Sequence, residues 1–486
     1  MSLIKINHLT FIYPSGTTPV FEDLTLQFDT TWKLGLIGRN GCGKSTLFKL
    51  LRGMYPYKGE IVCNTLLTSF PLSIPDPSLL TIDVLHDCYP SAEEWQLRRE
   101  LNLMKVDADD LLWRPFETLS GGEQTKALLA GLFLDDAFAL IDEPTNHLDL
   151  HGRELLARYL RRKRGFILIS HDRHFLDGCV DHVLALGRSE TRVFSGNYST
   201  WQENAARRQA HEETQNARLQ QEIRHLSKAA ERNANWSHAV EKSKIGAADK
   251  GHVGHMAAKM MKRAKAIEAR RERAIEEKRQ LLKDVEHDQP LKLVPLAHHA
   301  EQLAIFENVQ VRYDGRTIGQ PQSFTVRRGD RLFLDGPNGY GKSSLLRLLV
   351  GAPIDHTGMY HLASGLIVSY VLQHAEGLSG SVHAFAASTH VDRTLFLSYL
   401  HKMGLPRRLF DQDMRTFSEG QKKKILLAKS LSEQAHLYVW DEPLNYIDLA
   451  SRLQIEQLIL SHRPTMLLVE HDRAFQDAVA TKILSL

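Results

Sequence analysis

The string GRNGCGKST at Gly38–Thr46 returns as GPNGYGKSS at Gly336–Ser344, and each copy is followed by the same succession of short motifs. Ser120 of LSGGEQ and Ser418 of FSEGQ stand at the same distance from Lys44 and Lys342. Glu143 of LIDEP and Glu442 of VWDEP come next, then His171 of ISHDR and His471 of VEHDR, at closely matching spacings. A chain that repeats itself at an offset of about 298 residues holds two copies of one module, not one domain with a chance match. The repeated residues are those suited to holding phosphate, so the function has to be built from them.

KLGLIG, ending at Gly38, reads as a short buried strand, and TLFKLLRG as the helix that follows. A GxxxxGK[ST] loop in that context wraps phosphates with backbone N–H groups at a helix N-terminus. Gly38, Asn40, Gly41, Gly43 and Thr46 form the first cradle; Gly336, Asn338, Gly339, Gly341 and Ser344 form the second. Lys44 and Lys342 would pair with the β- and γ-phosphates of ATP, and the Ser45 and Ser343 hydroxyls would ligate Mg²⁺. FALIDEP ends an apolar strand in two carboxylates with separate tasks. Asp142 would hold Mg²⁺ through water and Glu143 would orient or deprotonate the attacking water, with Asp441 and Glu442 as counterparts. His171 follows the strand FILIS at the sheet edge where ligands gather in open α/β sheets, and is read as a sensor of the γ-phosphate, as is His471. Tyr13 could stack on adenine or serve as a core aromatic. Ser120, Gly121 and Gly122 open the helix TKALLAGLFL and so offer a further anion site. Each P-loop already satisfies its own phosphates, so this second site makes sense if it closes over the nucleotide of the other module.

Composition is that of an ordinary globular chain, 43% hydrophobic and 24% charged over 486 residues. No run approaches the ~18 apolar residues of a membrane helix, and MSLIKINHLTF lacks the form of a signal peptide. Cys42, Cys63, Cys88 and Cys179 are scattered, without CxxC spacing. The expectation is a cytoplasmic protein. Between the modules, Leu219, Ile223, Leu226 and Ala230 recur at helical spacing, as do Met260, Ala264, Ile267, Ala274, Leu281 and Val285. Narrow apolar stripes on charged helices suggest two long helices zipped antiparallel. The stretch Lys242–Lys265 between them carries many Lys and Arg residues against the single acid Asp249, while the whole chain is only +3. A basic tip on a projecting hairpin attracts phosphate backbone. The expected organisation is α/β: two tandem P-loop ATPase domains at 1–198 and 300–486, joined by a basic antiparallel helical hairpin at 199–299.

A P-loop, LSGGEQ, DEP, a following Asp (Asp149 in NHLD, Asp448 in NYID) and the late His together resemble the ABC-type ATPases. The resemblance implies two nucleotide-binding domains packed head to tail, with two ATP molecules between them. Site one would combine Gly38–Thr46, Asp142, Glu143 and His171 with Ser418 and Gly420. Site two would combine Gly336–Ser344, Gln373, Asp441, Glu442 and His471 with Ser120, Gly121 and Gly122. Tandem modules, a charged helical linker and no membrane segment resemble the ABC-F group. WSHAVEKSKIG, the linker string around Lys242–Lys265 and AHLYVWDEPLNYID resemble its Lsa-like and Vga-like antibiotic-resistance members. That similarity runs over essentially the whole chain. It implies binding to the bacterial 70S ribosome in the tRNA exit region, as a monomer. The linker would reach rRNA near the peptidyl-transferase centre and dislodge lincosamides, streptogramin A or pleuromutilins, with hydrolysis serving release.

The two sites depart unequally from the family pattern. SYVLQ supplies Gln373 as a contact to Mg²⁺ and water in the second module, whereas TSFPLS puts Leu72 there in the first. FSEGQ places Glu419 where a glycine lets backbone approach phosphate. Both changes fall on site one, which is expected to turn over more slowly. Equal P-loop-to-signature spacing leaves no sizeable arm in module one, and the chain's end at Leu486 gives the expectation of no C-terminal RNA-binding extension. The tandem ATP-binding subunit of a membrane importer, a DNA-repair type of ABC ATPase, and a general ABC-F translation factor without a resistance role stand as alternatives.

Overall fold

The computed structural model describes residues 2–14, 16, 18–146, 148–187, 191–242, 291–313, 315–375, 377–389 and 391–486. The first module is built on β1 (Leu3–Phe11), β2 (Phe21–Asp29), β3 (Lys33–Ile37), β4 (Lys58–Val62), β5 (Leu67–Phe70), β6 (Phe138–Asp142), β7 (Phe166–Ile169), β8 (His182–Leu186) and β9 (Thr191–Ser195). β2, β1 and β4 form an antiparallel sheet in that order. The others run β5-β6-β7-β3-β8-β9, parallel except where β9 pairs antiparallel with β8.

The difference between the two sheets is written in their strands. Along β1, Ile4, Ile6, Leu9 and Phe11 are buried among more exposed neighbours, the pattern of a sheet with one face on a core. FALI and FILI, in β6 and β7, are apolar at every position and buried on both faces, as parallel strands between helices must be. The helix Lys44–Leu51 places Leu47, Leu50 and Leu51 in the core shared by both sheets.

The second module repeats the plan with β10 (Gln302–Tyr313), β11 (Arg316–Arg327), β12 (Arg331–Asp335), β13 (His356–Leu362), β14 (Val368–Val371), β15 (Leu437–Asp441), β16 (Met466–Val469) and β17 (Lys482–Ser485). Its sheets are ordered β11-β10-β13 and β14-β15-β16-β12-β17. In both modules the strand before the P-loop, the strand before the late histidine and the strand ending in Asp–Glu are consecutive neighbours. Their carboxyl ends open at one edge, the position at which open α/β sheets bind ligands. Beside that edge, the segment from Thr81 to Leu132 contributes helices at Thr81–Cys88, Glu94–Leu103, Ala108–Leu112 and Gly121–Leu132. The second module answers with Val382–Ser388, Arg393–Lys402 and Glu419–Ser432.

The chain divides into one unit of Met1–Ser199 with Asp288–Leu486 and a second of Thr200–His287. In the second unit the helix Tyr198–Lys242, 45 residues long, continues as far as the description runs, and Leu219 and Ile223 are half-buried positions on its stripe. The expected return helix and most of the basic stretch lie outside the described residues. Residues 291–299, placed in the linker by sequence, pack instead on the second module. Leu291 and Leu293 enter its core, the Leu296 N–H donates to the Ala435 carbonyl at 2.9 Å, and Arg328 Nη1 donates to the His298 carbonyl at 2.9 Å.

Gly165 enters β7 so closely against β3's approach that an added Cβ would lie 2.0 Å from the Thr30 carbonyl oxygen. The atoms it would meet are main chain of Thr30 and Thr31, which cannot swing aside as a flexible side chain could. Gly165→Ala is expected to cost about 2 kcal/mol or more of stability, in the range of overpacking, measured as a lowered denaturation midpoint. An unchanged midpoint would contradict this packing.

Candidate active site

The two P-loops have closely similar geometry. Gly41 and Gly43 have φ of 83° and 100°, and Gly339 and Gly341 have 84° and 85°, so each loop uses left-handed backbone that favours glycine. Gly43 is doubly required, because a Cβ there would meet the Phe21 ring at 2.7 Å. Lys44 Nζ donates to the carbonyls of Gly38 at 2.7 Å and Arg39 at 3.3 Å. Lys342 does the same to Gly336 at 2.6 Å and Pro337 at 2.9 Å. Each lysine thus curls over its own loop. Asn40 and Asn338 lie in the loops, and Thr46 and Ser344 in the first helical turns. The Cys42 side chain lies beside Gly38, and burial pushes its thiol pKa up, as suits a small filler.

The hydroxyl of Tyr13 is 2.8 Å from Thr46 Oγ1, and its ring packs edge-on against Phe11 and Tyr55. Tyr313, which sequence reasoning passed over, does the equivalent at 2.9 Å from Ser344. The signal available for it was its place near the end of β10, matching Tyr13 beyond β1 in the repeat.

Ser45 donates to Asp142 Oδ2 at 2.8 Å, and burial raises the Asp142 pKa. Asp441 is fully buried with both carboxylate oxygens unpartnered; burial pushes it up to about 6, offset in part by Ser343. Unpaired buried carboxylate oxygens beside a P-loop serine fit a hard cation with oxygen ligands, so the residues present suit Mg²⁺. Glu143 and Glu442 both adopt left-handed backbone, with φ of 49° and 45°. Such conformations are costly outside glycine and persist where surroundings fix them. Here the Glu143 N–H donates to the Ile169 carbonyl at 2.9 Å and the Glu442 N–H to Val469 at 2.8 Å. Each glutamate is therefore tied to the strand that delivers its histidine.

The side chains differ. Glu442 accepts from Gln373 Nε2 at 2.9 Å and from Asn445 Nδ2 at 2.5 Å, so its carboxylate is fixed at both oxygens. Glu143 Oε1 is buried without a hydrogen bond, and burial, with Asp142 beside it, pushes Glu143 up to about 8. The registers explain the missing partner. Phe70 lies opposite Ile141 as Val371 lies opposite Trp440, so Leu72 occupies the place of Gln373. His171 Nε2 is 3.5 Å from Glu143, and His471 Nε2 is 3.8 Å from Glu442. Burial, with Lys44 and Arg452 nearby, holds His171 well below its usual value; burial, Lys342 and Arg153 push His471 down to about 3. Both imidazoles are neutral near pH 7, able to donate to an oxygen without adding a charge.

Ser120 and Ser418 cap the helices Gly121–Leu132 and Glu419–Ser432, accepting from Glu123 N at 3.3 Å and Gln421 N at 3.4 Å. Gly121 and Gly122 form the first turn of the former. The second signature meets the first P-loop: an added Cβ at Gly420 would lie 2.5 Å from the Tyr446 carbonyl and 3.3 Å from Asn40 Nδ2. Asn40 Nδ2 itself donates to Tyr446 O at 3.0 Å. On the other side, Asp149 of the first module acts on the charge of Lys342. Glu419 pairs with Lys422 at 2.9 Å on its own helix, which offsets part of its repulsion toward a triphosphate.

Comparison with known proteins agrees with this geometry. The ABC transporter family matches residues 21–146 and 320–445, more than half of the chain. The chain belongs to this family. It is accordingly an ATP-binding ATPase, with helical-lobe signatures and P-loops in each half. The ribosome protection protein VmlR of Bacillus subtilis is 27% identical over 451 residues, 91% of this chain and 79% of that protein. The energy-dependent translational throttle protein EttA of Mycobacterium tuberculosis is 25% identical over 97% of this chain and 89% of its own. These relatives agree with the ABC-F resemblance. Among solved structures, a model of ribosome-bound archaeal Pelota and ABCE1 shares the fold with a TM-score of 0.63 and 19% identity, covering 98% of this chain and 76% of that one. The archaeal ribosome recycling factor aABCE1 in complex with stalk protein aP1 gives a TM-score of 0.61 at 19% identity, over 94% and 83%.

Glu442, held at both oxygens, and Glu143, with Oε1 free of any hydrogen bond, predict unequal sites. Glu442→Gln is expected to remove most steady-state ATP hydrolysis, about 10-fold or more, while Glu143→Gln leaves more than half. Equal losses in a phosphate-release assay would contradict the asymmetry.

Proposed function

We propose that this ATPase binds the bacterial 70S ribosome when ATP closes its two modules, and protects the ribosome from antibiotics that act at the peptidyl-transferase centre. Support comes chiefly from its likeness, over nearly its whole length, to proteins named for ribosome protection and translational throttling. The linker adds to this: a 45-residue helix leads toward a strongly basic stretch, suited to phosphate-dense rRNA near the tRNA exit and peptidyl-transferase regions. No helix among the described residues is long and apolar enough to cross a membrane. An importer subunit would have no use for such a linker. The drugs concerned would be of lincosamide, streptogramin A or pleuromutilin type, and the protein would act as a cytoplasmic monomer.

In each site the P-loop amides and Lys44 or Lys342 would hold the β- and γ-phosphates, and the opposing signature would cap the γ-phosphate. Ser45 and Asp142, or Ser343, Gln373 and Asp441, would hold Mg²⁺, which when bound neutralises phosphate charge. Glu143 and Glu442 would direct water at the γ-phosphate, and the neutral His171 and His471 would donate to its oxygens. ATP favours the closed, ribosome-bound shape and hydrolysis opens it, releasing the ribosome.

The Glu143→Gln, Glu442→Gln double variant is expected to pellet with 70S ribosomes through a sucrose cushion only when ATP is added. No pelleting despite confirmed ATP binding would overturn the ribosome reading. Pelleting without any gain in growth on a lincosamide, streptogramin A or pleuromutilin would support a general translation factor instead.

A further inference from the structure

Lys423 lies in the signature helix of the second module, yet its ammonium reaches the main chain that carries residues of the second ATP site. It is 2% exposed. Its Nζ donates to the carbonyls of Leu372 at 2.7 Å, Gln373 at 3.0 Å and Asp441 at 3.1 Å. An ammonium has three donors and no acceptor, so three carbonyls satisfy it completely. Those carbonyls come from the two adjacent strand ends, β14 and β15, that carry Gln373 and the Asp441–Glu442 pair.

Among the described residues, the first module has no such device. Thr125 holds the equivalent position, and its hydroxyl turns back to the Gly121 carbonyl of its own helix at 2.9 Å. The difference coincides with the others that separate the sites: Gln373 against Leu72, and a Glu442 held at both oxygens against a Glu143 whose Oε1 lacks a hydrogen bond.

We propose that Lys423 is a positioning residue of the second ATP site: it fixes the main chain beneath Gln373 and Asp441 from a helix whose N-terminus, about one turn earlier at Ser418 and Gly420, closes the first site. Closure over nucleotide at site one is thereby linked to the alignment of Gln373 and Glu442 at site two. No equivalent link runs from the first signature helix through Thr125. This rests on the assignment of Gln373, Asp441 and Glu442 to the second site.

The test replaces Lys423 with the residue of the first module. Lys423→Thr is assayed for ATP hydrolysis in the Glu143→Gln background, where turnover comes from site two, and in the Glu442→Gln background, where it comes from site one. Loss of a supporting partner of a metal site costs about 10- to 100-fold. A fall in kcat of about 10-fold is expected in the first background, with KM for ATP changed much less. The fractional loss in the second background is expected to be several-fold smaller. Lys423→Arg, which keeps charge and donors, is expected to restore part of the rate. Equal fractional losses in both backgrounds, or a loss confined to KM, would overturn the proposal, because a general packing defect does not choose between sites. Glu442→Gln alone separates this from the site assignment: if it leaves hydrolysis intact, the assignment fails; if it removes most hydrolysis and Lys423→Thr does not lower kcat in the Glu143→Gln background, the positioning role fails.

Discussion

A buried guanidinium bridges the two modules, and the arrangement of both nucleotide edges depends on it. Arg153 Nη1, in the helix after Asp149, donates to Asp172 Oδ2 at 2.9 Å in its own module and to the His471 carbonyl at 3.1 Å in the other. Arg452, in the equivalent helix, donates to Asp472 Oδ2 at 2.9 Å and to the Leu444 carbonyl at 2.8 Å. Asp172 and Asp472 in turn cap the helices that follow the two histidines. Each late histidine is thus aimed by an aspartate, and each aspartate is held by a buried arginine. Removing one partner of such a pair leaves an uncompensated charge, at a cost of about 3–5 kcal/mol. A further pair, Arg173 to Glu456 at 2.5 Å, joins the modules nearer the surface.

Around this junction the ionisable groups are displaced in the directions a polyanion and a cation would correct. Burial raises Asp142, Asp441 and Glu143, which lack a positive partner adequate to their isolation. Burial and neighbouring cations lower His171 and His471. Asp448 goes the other way: burial opposes its ionisation, but Lys424 at 2.6 Å holds its carboxyl well below the usual range. The exception marks a different task. Asp448 is a structural anion that caps Ser451 at 3.0 Å and fixes the turn carrying Tyr446 to the first P-loop. The displaced groups face the nucleotide edge, and perturbed values of that kind gather where chemistry is done.

The motifs were legible because each is a local backbone demand. Glycines at positive φ, a hydroxyl that caps a helix and an apolar run ending in carboxylates are properties of consecutive residues. The inequality at Leu72 was legible too, since the repeat supplied its own reference at Gln373. Hidden from the sequence were features whose meaning depends on burial. Lys423, Lys424, Arg153 and Arg452 carry no signal in the sequence that sets them apart from other charged residues on helices. Only the packing of the signature helix against β14 and β15, and of one module against the other, shows that these charges are enclosed. Asn445 escaped notice because its contact with Glu442 depends on the left-handed bend at that glutamate. The segment 291–299 was misjudged for a related reason: two leucines two residues apart carry no helical or strand signal until a core is there to receive them.

Every functional statement about this chain depends on each ATP site being completed by the other module. The most direct measurement compares Ser120→Arg with Ser418→Arg in the Glu143→Gln background, where hydrolysis comes from the second module's glutamate. Head-to-tail completion predicts that Ser120→Arg removes nearly all remaining turnover while Ser418→Arg, in the same module as the working glutamate, costs far less. The reverse order would contradict the account.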